Sequence, residues 1–268
     1  MHRRREIESK LRGETLGRRG LLKRYEGTDQ LRIAPDLNVV KIGGHGIVDY
    51  GAPVLKPLAE EIGALSRKHQ MMVVTGGGVR VRHIMDIGLD LGMPTGVLAE
   101  LSGKVSEQNA IMMSVLLSEY GGTRIHSADL LELPMLLRMG ILPVTHGTPP
   151  YGLYESPSEI GMIPAHRTDT GAFLMAEVLG AKSCILVKNV DGLFTENPFD
   201  NPDAELIEEI TAAELLDLGM EDLVLEDKVV EMLLDAKCVR KVHIINGHVP
   251  GTLTRLLNGE RVGSIIKA

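Results

Sequence analysis

Residues 39–46 read Val39-Val40-Lys41-Ile42-Gly43-Gly44-His45-Gly46. The β-branched run fits a strand buried on both faces, as in a parallel sheet. A lysine interrupts it at the point where the glycines begin. An ammonium among apolar neighbours loses hydration that only an anion would restore, unless its stem carries the charge out to water. Both readings of Lys41 stand at this point. The glycines that follow let a ligand approach bare backbone.

From residue 37 onward, short β-branched runs alternate with longer helical segments, the sequence form of an α/β fold built on a mainly parallel sheet. LNVVKIGG, MMVVTGGG, ILPVTHG, SCILVKNVDG, KVHIING and VGSIIK read as strands. Between them, PVLKPLAEEIGALSRKH, VRVRHIMDIGLDLG, SEQNAIMMSVLLSEYGG, RTDTGAFLMAEVLGA and GTLTRLLNG read as helices. Ile84, Ile87 and Leu91 share one helical face. Thr211-Ala212-Ala213-Glu214 fits a capping box. Residues 1–30, which hold Arg3-Arg4-Arg5, read as an arm. Residues 31–268 read as one domain, interrupted by a proline- and glycine-rich lid or hairpin at about 148–166.

The 268 residues are 44% hydrophobic, enough to bury a large core. A formal net charge of −7 disfavours bulk attraction to nucleic acid or to an anionic membrane. Aromatic content of 3% with no Trp leaves few platforms for stacking bases. The two cysteines, Cys184 and Cys238, are too few and too far apart for a disulfide framework or a cysteine zinc site. With no apolar run of membrane-spanning length and no signal-peptide pattern, the expectation is a soluble, cytoplasmic protein.

In open α/β sheets, ligands gather beyond the carboxyl ends of the strands. Lys41–Gly46, Thr75–Gly78, Thr145–Gly147, Lys188–Gly192 and Asn246–Gly247 occupy such ends. Gly76, Gly77 and Gly78 fit a phosphate cradle at a helix start or, alternatively, a tight strand-to-helix turn. Lys188 is a second lysine at a strand end. Asp169 opens a helix, either as a cap or as a carboxylate that orients the lysines or meets Mg²⁺ through phosphate oxygens. GxxxxGK[ST] and GxGxxG are both absent, as are HExxH and a Ser/His/Asp set. His126, His146 and His166 are candidate cavity ligands, or hydrogen-bonded surface groups.

Taken in order, KIGG, TGGG, RTDTGAFLMAEVLGA, VKNVDGLFTENP with PDAELI, and NGHVPGTLTRLLNGERVGSII resemble the amino-acid-kinase superfamily, in its uridylate-kinase-like branch. TGGGVRVRH, SEQNA, IPAHRTDTGAF and HIINGHVPGTLTRLLNGERVGSII are similar to the molybdenum-storage subunits of that branch. The resemblance implies a three-layer α/β/α sandwich around a mostly parallel sheet. It implies catalytic roles for Lys41, Asp169 and Lys188, with Gly43, Gly44 and Gly76–Gly78 at phosphate. It also implies ATP contacts from Thr170, Asn189, Asp191, Gly192, Phe194, Asn197 and Pro198. It further implies ATP and Mg²⁺, molybdate or tungstate clusters as cargo, and a homo- or hetero-hexamer arranged as a trimer of dimers. The alternative it carries is a small-molecule kinase acting on a nucleoside monophosphate. Gly103-Lys104-Val105-Ser106-Glu107-Gln108-Asn109 departs from the Gly-Asp-x-Met-Gly segment of uridylate kinases, and Gly152-Leu153-Tyr154-Glu155 replaces the histidines found there in one storage-subunit type.

Overall fold

The computed structural model describes residue 20 and residues 29–147, 152–158, 161–220 and 223–268. Most of the expected arm, including Arg3-Arg4-Arg5, lies outside the described residues, as do Pro149, Pro150 and Tyr151. The chain divides into two units, Met1–Leu31 and Arg32–Ala268, and every element below belongs to the second.

In chain order these are β1 (Asn38–Ile42), α1 (Ala52–Ser66), β2 (Met71–Thr75), α2 (Val79–Asp90), α3 (Thr95–Leu116), β3 (Gly122–Arg124), α4 (Leu133–Arg138) and β4 (Leu142–His146). There follow α5 (Thr168–Leu179), β5 (Ser183–Lys188), β6 (Leu193–Phe194), β7 (Leu206–Ile207), β8 (Glu209–Thr211), α6 (Ala212–Asp217), α7 (Asp227–Asp235), β9 (Lys241–Asn246), α8 (Thr252–Leu257) and β10 (Ser264–Lys267). Eight strands form one sheet in the order β3-β4-β2-β1-β5-β9-β10-β8, and β6 and β7 pair separately. Within the large sheet only the β9–β10 pairing is antiparallel.

Side chains alternate across each strand and so sort into two cores. Val39, Val74, Cys184, Leu186, Val242 and Ile244 pack with Phe173, Ala176 and Leu179 of α5 and Val229, Val230 and Leu233 of α7. Val40, Ile42, Val73, Ile185, Val187 and Ile245 pack on the other side with Leu55, Leu58 and Ile62 of α1, Met113 of α3 and Leu253 of α8. The result is an α/β/α sandwich. Lys41 has the parity of Val39, and Lys188 that of Cys184 and Leu186. Alternation therefore sends both lysines to the α5 side.

Local chemistry sets the helix ends. Glu214 donates its amide to Thr211 Oγ1 at 3.2 Å while Thr211 N–H reaches Glu214 Oε2 at 2.9 Å, the reciprocal pattern of a capping box. Gly180 ends α5 in a left-handed conformation, φ 62°. Beyond it, the Glu177 carboxylate accepts amides of Lys237, Cys238 and Val239, tying the approach to β9 onto α5.

Two expectations shift in detail. Helix α3 begins at Thr95, after Pro94, well before Ser106, because the Thr95–Leu101 segment also carries a buried stripe in Leu98 and Ala99. The shared face of Ile87 and Leu91 is exposed, and α2 instead seats Gly88 against Leu98. Among the described residues of 148–166 there is a 3₁₀ turn at Gly152–Tyr154 and no strand. No helix among the described residues is long and apolar enough to cross a membrane.

His243 lies in β9, buried, with Nδ1 lacking a hydrogen-bond partner. Burial, helped by Lys241, pushes its pKa down to about 4. The unfolded chain therefore binds this proton more readily, and the neutral ring's contribution, whole above pH 6.5, is lost as pH falls to 4 and below. Urea titrations at pH 7 and pH 4 should show wild type losing about 3 kcal/mol more than His243→Leu. Equal losses would contradict this assignment.

Candidate functional site

The centre of the site is a carboxylate shared by two ammonium groups. Asp169 lies in the first turn of α5, on the sheet face to which Lys41 and Lys188 point. Lys41 Nζ is 2.6 Å from Oδ1 and Lys188 Nζ is 2.6 Å from Oδ2, so each oxygen holds one lysine. In the parallel register Lys41 stands opposite Leu186, which places Lys188 one side-chain step further along the same face. Burial of Asp169 opposes its ionisation most strongly, yet Lys188 and Lys41 together outweigh it and hold the carboxyl well below the usual range. Burial likewise pulls Lys188 down from the ordinary lysine value, an effect that Asp169 offsets and neighbouring Lys41 reinforces.

Two glycine loops close over this bridge. A Cβ on Gly44 would stand 2.0 Å from the Gly78 nitrogen, and one on Gly76 would stand 3.0 Å from the Gly44 nitrogen and 3.3 Å from Lys41 Nζ. Side chains at Gly44 or Gly76 would thus drive the loops apart or displace the ammonium. Gly78 also needs φ 75°, a conformation that favours glycine. Behind the loops, Asp49 Oδ2 accepts the Val79 amide at 2.7 Å, and Asn109 Nδ2 donates to the Gly76 carbonyl at 2.5 Å. Asn109 is fully buried. Arg80 in turn donates to Asn109 Oδ1.

Glu226 is the residue that sequence reasoning missed. It precedes α7, where an acidic side chain reads as a cap for its own helix, yet it makes no cap bond there. Its buried carboxylate instead accepts the amides of Arg167 at 3.1 Å, Asp169 at 2.9 Å and Thr170 at 3.0 Å, together with the Thr170 hydroxyl at 2.6 Å. A negative charge at the N-terminus of α5 satisfies its orphan amides and favours the dipole. No pattern within α5 announces a partner so distant in sequence.

A cleft of about 620 Å³ opens in front of the bridge. Lys41, Gly43, Gly44, Gly77, Gly78 and Lys188 line it, as do Asn189, Gly192, Phe194, Asn197, Pro198 and His166. His45 and Arg82, not singled out in the sequence, line it as well. Asp169 and Gly76 lie behind the lysines, in contact with them or alongside. Asp191 accepts a bond from Asn246 Nδ2 at 2.8 Å, and Thr170 turns to Glu226; neither lines the cleft.

His126 and His146 both neighbour Glu107, whereas His166 pairs with Glu155. His126 stands beside Arg124 and Glu107. Burial lowers the pKa of His146, with Glu107 opposing. His166 Nδ1 lies 2.7 Å from Glu155 Oε1 at the cleft wall. Among the described residues, no group of three or more His, Cys, Asp or Glu side chains is placed to hold a metal ion. The glycine cradle and paired lysines fit a phosphate chain.

Comparison with known proteins accords with this geometry. The pattern of the Amino acid kinase family matches residues 36–246. Molybdenum storage protein subunit beta of Azotobacter vinelandii is 44% identical over 237 residues, 88% of each chain. Uridylate kinase of Thermofilum pendens is 30% identical, over 87% of this chain and 98% of that one. The crystal structure of uridylate kinase from Archaeoglobus fulgidus, 21% identical, superposes with a TM-score of 0.68 over 85% of this chain and 99% of the other, a likeness of fold. With its sheet order, its glycine loops and its match across most of the sequence, the chain belongs to the amino acid kinase family.

Proposed function

We propose that the chain is an ATP- and Mg²⁺-binding subunit of an oligomeric cytoplasmic cage of the molybdenum-storage type, in which ATP hydrolysis drives the loading of molybdate or tungstate. The observation that carries this reading is the Lys41–Asp169–Lys188 bridge set beside two glycine loops at one cleft. The 44% identity to a molybdenum storage subunit supports the cargo. Exposed Ile111, Met112 and Val115 on α3 and Met135 on α4, with Met139 just beyond it, support assembly with further chains as a homo- or hetero-hexamer.

In this reading the oxygen of water attacks the γ-phosphorus and gives one proton to solvent, the bond from that phosphorus to the β–γ bridging oxygen breaks, and ADP leaves with the electron pair. Lys41 and Lys188 offset charge on the phosphate oxygens as that bond lengthens. Asp169 keeps the two ammonium groups at a fixed spacing, and Glu226 fixes the helix that presents Asp169. Amides of Gly44, Gly77 and Gly78 face the phosphates, that of Gly43 being taken by the Val187 carbonyl, while Phe194, Asn197 and Pro198 bound the space for the base. Magnesium, when bound to phosphate oxygens, supplies further positive charge to the same groups.

Uridylate kinase relatives favour a second reading, transfer of the γ-phosphoryl group to a small acceptor. Lys104 follows Gly103, where uridylate kinases carry aspartate, and pairs with Glu100 and Glu107 on α3. A coupled assay of ADP release separates the readings: the storage reading predicts no stimulation by UMP or other nucleoside monophosphates, and acceptor-dependent turnover would favour the kinase.

Incubation with ATP, Mg²⁺ and molybdate followed by elemental analysis should find metal retained by the wild type and lost in Lys41→Ala. Equal retention would contradict storage through this site. Steady-state ATP hydrolysis should fall by about 10²–10³-fold in Asp169→Asn, since both buried ammonium groups lose their ionic partner. An unchanged rate would place the chemistry elsewhere.

A further inference from the structure

The loop after β1 is anchored by more than its own turn. Val48 N–H bonds the Gly43 carbonyl at 3.1 Å and Asp49 N–H bonds the Gly44 carbonyl at 3.0 Å. The third carbonyl of the loop, that of Gly46, is met from a different part of the chain, by His248 Nε2 at 2.7 Å. A carbonyl only accepts, so Nε2 is the protonated nitrogen in this contact.

His248 follows β9, which is not a neighbour of β1, since β5 runs between them. The contact therefore reaches across the end of an intervening strand. A Cβ on Gly46 would meet the Asn189 side chain, at the end of β5, at 2.6 Å, so all three strand ends converge on this loop. His248 is itself held firmly. Its backbone amide donates to Asn246 Oδ1 at 2.8 Å, and its ring meets Tyr50 edge-on, with centroids 4.5 Å apart and planes at 78°. Beyond it, Glu61 of α1 accepts the amides of Gly251 at 3.0 Å and Thr254 at 2.7 Å, which fixes the start of α8. His248 does not line the cleft, whereas Gly43, Gly44, His45 and Gly46 do.

We propose that His248 is a positioning residue: its Nε2–H clamps the Gly46 carbonyl and so holds the Gly43–Gly46 loop in the shape that receives nucleotide phosphates. The assignment rests on the ATP reading of the cleft. It acts through the loop alone, without contact to the nucleotide. Without the bond, the loop samples more conformations, and binding must order it again at a cost in affinity.

His248→Phe keeps a ring against Tyr50 and removes the N–H, and His248→Gln restores an N–H donor at similar reach. Two quantities are measured on full-length chains: ATP affinity by calorimetry, and hydrogen exchange of peptides covering residues 43–50 without nucleotide. In His248→Phe, ATP affinity should weaken about tenfold and exchange of this segment should quicken, while His248→Gln recovers both to within about threefold. Unchanged affinity and exchange in His248→Phe would overturn the proposal, as would failure of His248→Gln to rescue either quantity while the urea midpoint remains that of wild type. A wild-type chain that binds no ATP would overturn the nucleotide reading and with it the assigned role, and quickened exchange in His248→Phe would still identify the clamp.

Discussion

Everything in the site depends on one carboxylate buried between two ammonium groups. Removing three charges from water is expensive, and only close pairing makes the arrangement tolerable. Asp169 meets this demand because its two oxygens each face one lysine at 2.6 Å. The constraint runs back into the fold. A slip of one residue in the β1–β5 register would turn a lysine into the opposite core and leave its charge stranded. The bridge and the sheet register therefore support each other.

The same constraint explains why so many secondary contacts converge here. Asp169 can hold two lysines only if α5 starts in the right place, and Glu226 secures that start by taking three backbone amides and a hydroxyl. The glycine loops must then approach each other closely enough that a methyl group at Gly44 would collide with Gly78. Phosphate-sized space with positive charge at its back is the outcome. Solved uridylate kinases share the fold, so the fold by itself does not decide between storage and phosphoryl transfer.

Much of this was legible in the sequence, for identifiable reasons. Strands β1, β2, β4, β5 and β9 are β-branched runs ended by glycine or a charged residue, and such runs have few other ways to fold. The common face of Lys41 and Lys188 follows from parity once β1 and β5 are neighbours, an adjacency that neither strand's own residues announce. What stayed hidden depends on contacts between distant segments. Glu226 looks like a cap for α7 and serves α5 instead, and His248 sits in a quoted motif without any local sign of its partner, Gly46. The exposed face of α2 was invisible for a related reason: periodicity reports which residues share a face, not what covers it. Short elements such as β3 and β6 carry too few residues for any period to emerge.

Joint action of Lys41 and Lys188 on one phosphate chain is open to measurement. A double-mutant cycle measures it most directly, with ATP and AMP affinities determined by calorimetry for wild type, Lys41→Met, Lys188→Met and the double variant. Each single change should remove most of the preference for ATP over AMP, and the double variant should lose clearly less than the sum of the two. Fully additive losses, or an ATP-to-AMP ratio that neither change alters, would contradict it.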